Sequence, residues 1–164
     1  MKGRAMVSRQ DHTGRRRFWH LPWRRRSVVL AAIGLFLGIQ LIPVWISQMN
    51  PSPQAGPHWD TPRTYRLMQS SCLDCHSNST VWPWYSRVAP VSWLVTLDVL
   101  QGRRALNFST WATGAHSNEI GAEAIEAIRS GSMPPSQYLL LHRNAALSAQ
   151  EKQQLIDGLG RSLR

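Results

Sequence analysis

The residues of this 164-residue chain whose types and spacing could do chemistry lie in one string, Cys72-Leu73-Asp74-Cys75-His76. Two thiols three positions apart share one side of a helical turn, and each can add to one vinyl group of an iron porphyrin. The adjacent imidazole then sits under the iron as proximal ligand. Both cysteines of the chain fall inside the string, which therefore reads as the attachment point of one covalent haem c per chain. The competing readings are weaker. A thioredoxin-like dithiol wants a preceding strand and a βαβ setting, and a tetrahedral zinc site needs more ligands than two thiolates supply. A Cys72 to Cys75 disulfide in a haem-free module would make the protein colourless.

A six-coordinate electron carrier needs a second axial ligand from the opposite face. Met133 is the leading candidate: it follows the helix-ending Gly131 and precedes Pro134-Pro135, which hold an extended loop able to present the thioether. A thioether favours ferrous iron and raises the potential. His142 is the chief rival and His116 a weaker one. Met68, one turn before Cys72, is expected to pack, and His58 is expected to be solvated. Trp82, Trp84, Tyr85, Trp93 and Trp111 crowd the stretch after the motif and are expected to cover the porphyrin, with Arg87 and the indole N–H groups toward its propionates.

Four helices are expected to position these groups. Thr61-Pro62 gives an N-cap and a first-turn proline, and the helix they start runs toward Cys72. Val91, Leu94, Val95 and Val99 recur at helical spacing between about Pro90 and Leu106. A third helix opens at Ser117 and stops at Gly131, and a last one begins with a Ser148/Glu151 capping box. No sustained alternation of period two occurs, so residues 61–164 read as an all-α domain.

The remaining chain supplies topology. Of the formal net charge of +10, most sits in residues 1–27, where nine Lys or Arg face Asp11 alone. The rest is near neutral, so the basicity argues membrane topology and no nucleic-acid partner. Val28 to Ile46 is an uncharged apolar run of nineteen residues. As one helix it would reach ~28 Å, close to the thickness of a bilayer core. Trp19, Trp23 and Trp45 lie where interfacial aromatics belong, and Arg24 to Arg26 keep the N-terminus cytoplasmic. No small-x-small site follows Ile46, which favours a retained transmembrane helix in the lipid bilayer over a cleaved signal peptide. Residues 47–60, rich in Pro and Gly, read as an exposed linker holding the domain off the membrane. Export to an oxidising periplasm suits haem attachment.

The string Cys72 to His76, with Ser77 to Ser86, Ala89 to Trp93, Leu106 to Ser109, Met133-Pro134-Pro135, Tyr138 to His142 and Leu147-Ser148, resembles the bacterial haem-binding domain family of C-x-x-C-H proteins. The resemblance covers nearly all of residues 61–164. It implies a small cytochrome c-like helical monohaem domain, exported or membrane-attached. It leaves Met133 and His142 both open as distal ligand, because both belong to the pattern. The expected function is electron transfer with membrane or periplasmic redox proteins, a carrier more than a catalyst. The alternative is a haem-based sensor or peroxidase-like enzyme with an open distal site.

Overall fold

A computed structural model describes residues 23–113 and 118–163. Every regular element among the described residues is helical, with seven α-helices, four short 3-10 turns and no strand. The all-α expectation holds for them. Residues 1–22, including Trp19, and residues 114–117, including His116 and Ser117, lie outside the description.

Helix α1 spans Trp23–Ile39, and its side chains are largely exposed. The single helix expected over Val28 to Ile46 does not form. Pro43 has no N–H to donate to the carbonyl of Ile39, and its ring disfavours helical backbone at the residue before it. The helix therefore stops at Ile39, and a 3-10 turn follows at Val44–Gln48. Among the described residues no helix is long and apolar enough to cross a membrane.

The second compact unit begins at Ile39, well before the domain start expected at residue 61. Residues 49–59 have no regular structure, in keeping with a linker composition, yet they are laid along the domain. Gln48 donates to the Ser86 carbonyl and to Thr96 Oγ1, Asn50 donates to the Thr80 carbonyl, and the Gln54 N–H reaches the Ser109 carbonyl. Trp59 closes the segment by packing against Tyr65 and Phe108.

Helix α2, Pro62–Ser71, starts as its sequence requires: Thr61 Oγ1 accepts from the Thr64 N–H at 3.1 Å and proline occupies the first turn. It buries Thr64, Leu67, Met68 and Ser71, one face at helical spacing. The single turn α3, Leu73–His76, follows Cys72. Helix α4, Val91–Ala105, packs on α3. Helix α5, Asn118–Ser130, ends at Gly131, whose φ of 79° is the left-handed stop that glycine adopts without strain. Helix α6, Ser136–Leu141, was not foreseen. Helix α7, Ala149–Ser162, carries the full capping box between Ser148 and Glu151. The core lies among α2, α5, α7 and the strip from Leu106 to Trp111, with Met68, Leu155 and Leu159 fully buried. Met68 packs, as expected.

Candidate functional site

Helix α2 ends at Cys72, where backbone angles of φ −134° and ψ −43° turn the chain into α3. The Cys72 carbonyl then accepts from the N–H groups of both Cys75 and His76, at 3.2 and 3.0 Å. This turn holds the two thiols and the imidazole as one unit. Helix α4 lies directly against it, because Gly102 presents no side chain where the Cys75 backbone passes.

The His76 ring is oriented from the same side. Its Nδ1 lies 2.9 Å from the Leu106 carbonyl oxygen, which can only accept, so Nδ1 carries the proton and Nε2 keeps the lone pair. Burial holds His76 below its ordinary pKa, against the opposing pull of the Leu106 and Gly102 carbonyls. A neutral imidazole with its second nitrogen anchored on a carbonyl is the form that binds metals.

Both thiols are free. Burial pushes Cys72 up to about 12, with Cys75 adding to the effect. Cys75 rises to about 11, first through burial and then through the carboxylates of Asp98 and Asp74, with Arg103 opposing. Redox-active C-x-x-C pairs do the reverse and depress a thiol toward or below neutrality.

A cavity of about 280 Å³ brings the predicted site residues together: Cys72, Cys75, His76 and Met133 all line it, with Asp98 and Tyr138. An adjoining, mainly apolar cavity of about 200 Å³ shares Cys75, Asp98 and Tyr138 and is walled by Val91, Leu94, Val95 and Leu141. His142 borders this second space only, and both its nitrogens are engaged. Its Nδ1 donates to the Tyr138 carbonyl at 3.1 Å, so its Nε2 accepts from the Tyr85 hydroxyl at 3.1 Å. Its ring also stacks on Tyr138, with centroids 4.0 Å apart. Ligation by His142 would cost it the Tyr85 bond, whereas Met133 already borders the cavity of His76. The loop is not the extended one expected: Pro135 is extended, but the chain bends at Met133 and Pro134, whose peptide bond is cis, and the Met133 N–H is tied back to the Ala127 carbonyl at 3.0 Å. His58 is exposed, as expected.

The aromatic cover differs from expectation. Of the five rings, none lines the cavity of Cys72, His76 and Met133, and Tyr85 alone lines the adjoining one. Trp84 is 78% exposed, Trp111 stacks on Phe108 in the core, and Trp82 donates to Asn50. The Trp93 Nε1–H is buried without a partner among the described residues. Arg87 lines a separate cavity and does not serve this one. Aromatic count alone carries no direction, and the rings flanking Pro83 point to different surroundings. Sequence reasoning also passed over Asp98 and Tyr138, which border both spaces. The Tyr138 hydroxyl donates to Asp74 Oδ2 at 3.0 Å, and burial raises its pKa. The spacing of Tyr138 and His142, four apart, was the available signal.

Residues 34–161 match the model of the haem-binding domain family. The chain belongs to that family. No curated protein and no solved structure matches it. The haem-binding domain's own residues fit the group it is built for: two cysteines not paired with each other, an imidazole with its Nδ1 anchored, Met133 lining the same cavity and an apolar wall beside them.

Proposed function

We propose that this haem-binding domain protein is a c-type monohaem electron carrier, anchored in the inner membrane with its haem domain in the periplasm. Cys72 and Cys75 hold the porphyrin through thioethers, His76 ligates through Nε2, and Met133 is the distal ligand. One observation carries the reading: Met133 borders the same cavity as the two thiols and the Nδ1-anchored His76, and His142 does not. Bound there, haem supplies a one-electron ferric/ferrous couple. The protein's contribution is orientation and an apolar surround, which together favour the less charged ferrous site.

The anchor reading rests on the apolar stretch itself. Large side chains from Val28 through Leu37 are exposed, and Leu41, Ile42, Trp45 and Ile46 continue the exposure beyond the helix. Apolar surface of that extent marks a lipid or protein contact, and the adjoining arginines give it an orientation. Tethering would keep the carrier at high effective concentration near membrane or periplasmic redox proteins.

Optical spectra of ferric and ferrous protein, with and without carbon monoxide, test the function. A carrier gives a low-spin spectrum that carbon monoxide leaves unchanged, and ready carbon monoxide binding by the wild-type protein would assign it to the sensor or peroxidase class. Protease added to intact spheroplasts should degrade the haem domain; protection there contradicts the topology.

A further inference from the structure

A cavity of about 420 Å³ lies away from the haem site, lined by Gln40, Trp45, Gln48, Trp82, Arg87 and Ser92 among others, none of them acidic. We propose that it binds the phosphate headgroup of an anionic phospholipid at the periplasmic face of the membrane, an assignment that rests on the anchored reading above.

The walls are built. The Gln40 side chain makes a reciprocal pair with the Ala89 backbone, at 3.2 and 2.9 Å, and Gln48 donates to Ser86 and Thr96. Those amides fasten residues 40–48 onto the haem domain and are thereby spent. Arg87 is different. Its guanidinium makes no ion pair or hydrogen bond among the described residues, and neither does the Ser92 hydroxyl, although Ser92 is only 5% exposed. An uncommitted guanidinium with a hydroxyl beside it, in a cleft without a carboxylate, is a phosphate-binding set.

The rim says where the phosphate comes from. Gln40 directly follows the last residue of α1, and the chain that borders the cavity exposes Leu41 at 83%, Ile42 at 52% and Trp45 at 69%. Apolar side chains and an indole surrounding one cation suit the headgroup level of a bilayer, where tails cover the apolar rim and the phosphate meets the cation. A soluble phosphate compound would leave that rim in water.

The test uses the full-length, haem-loaded chain in detergent, incubated with equimolar phosphatidylglycerol and phosphatidylcholine and examined by native mass spectrometry. The wild-type chain should retain phosphatidylglycerol in preference, Arg87→Gln should reduce that preference about fivefold, and Arg87→Lys should keep part of it. Because the basic leader also attracts anionic lipid, an Arg24→Gln/Arg25→Gln/Arg26→Gln variant is run beside them. The Arg87-dependent part should survive in it. Equal retention by Arg87→Gln overturns the assignment. So does complete displacement of lipid by millimolar inorganic phosphate, which would make free phosphate the ligand, or an Arg87→Gln change in the haem spectrum with lipid retention intact, which would give Arg87 to the haem. Release of the native chain from membranes by alkaline carbonate overturns the anchor and this site together. Carbonate resistance without Arg87-dependent retention overturns this site alone.

Discussion

Gly102 lies so close to Cys75 that a Cβ placed on it would stand 2.6 Å from the Cys75 carbonyl oxygen and 3.0 Å from the Cys75 Cβ. Backbone meets backbone there, and the approach fixes the distance between α4 and the turn bearing both thiols. The same helix ends in the Leu106 carbonyl that orients His76. One glycine thus sets the position of the motif relative to the group that selects its imidazole tautomer.

Gly102→Ala should therefore damage the site more than a helical glycine-to-alanine change ordinarily would. Alanine is the better helix former by about 1 kcal/mol, but the clash is with backbone, which cannot swing aside. Overpacking of this kind costs ~1–3 kcal/mol. The expected result is a lower urea midpoint and a reduced yield of haem-stained protein, and an unchanged or raised midpoint would show that α4 can retreat freely.

The axial assignment separates two substitutions. Met133→Ala should open the distal position, so that the ferrous protein binds carbon monoxide and the ferric methionine-to-iron charge-transfer band disappears. His142→Ala should leave that band in place and lose only the Tyr85 and Tyr138 contacts. The reverse pattern would make His142 the ligand and require its Nε2 to abandon the Tyr85 hydroxyl.

What was legible in the sequence was local. The Thr61-Pro62 start, the Ser148/Glu151 box and the Gly131 stop each depend on residues within one turn, and all three occur. Helix α6 was missed because Tyr138-Leu139-Leu140-Leu141 is a continuous apolar run without helical period and its N-cap, Pro135, offers no side-chain acceptor. Residues 47–60 looked free because their anchors, Gln48 and Asn50, pair with positions some 30 to 50 residues away. The apolar run looked like one helix because hydropathy outweighed Pro43. In the site, the C-x-x-C-H string stands out by spacing alone, but which of Met133 and His142 shares a cavity with it depends on contacts that only the fold brings together.

Haem-free protein should be most stable in a bounded pH window. His76 has a depressed pKa when folded, so its contribution is present above its ordinary 6.5 and is lost as pH falls below that, where the unfolded chain binds the proton more readily. Cys72 and Cys75 have raised values, so theirs is present below 9.0 and lost as pH rises toward about 11 and 12. Asp98, raised by burial, acts only in the acid range above 3.8, and Tyr85 and Tyr138 add alkaline loss above 10.0. Thioether formation removes both thiols. Urea midpoints measured from pH 5 to 10.5 should therefore fall on both sides for the haem-free chain, with a shallower alkaline limb once haem is attached. Identical alkaline limbs would show that the thiols do not become thioethers.

Arg103 should prove the residue that joins residues 49–50 to the loop after α3. Its Nε donates to the Ser77 carbonyl at 2.8 Å, Nη1 to the Met49 carbonyl at 3.3 Å, and Nη2 to Asn50 Oδ1 and Thr80 Oγ1 at 2.7 and 2.8 Å. A lysine cannot serve four acceptors spread over that arc, because its donors radiate from one point. Arg103→Lys should thus behave nearly like Arg103→Ala, each costing ~1–3 kcal/mol by leaving carbonyls poorly satisfied. The segment should loosen first, since Met49 and Asn50 lose their shared partner while Ser77 remains within the packed turn after α3. Limited proteolysis should accordingly nick residues 49–59 in both variants before the rest of the domain, and equal resistance in Arg103→Lys would show that a single cation, not the forked geometry, holds the segment.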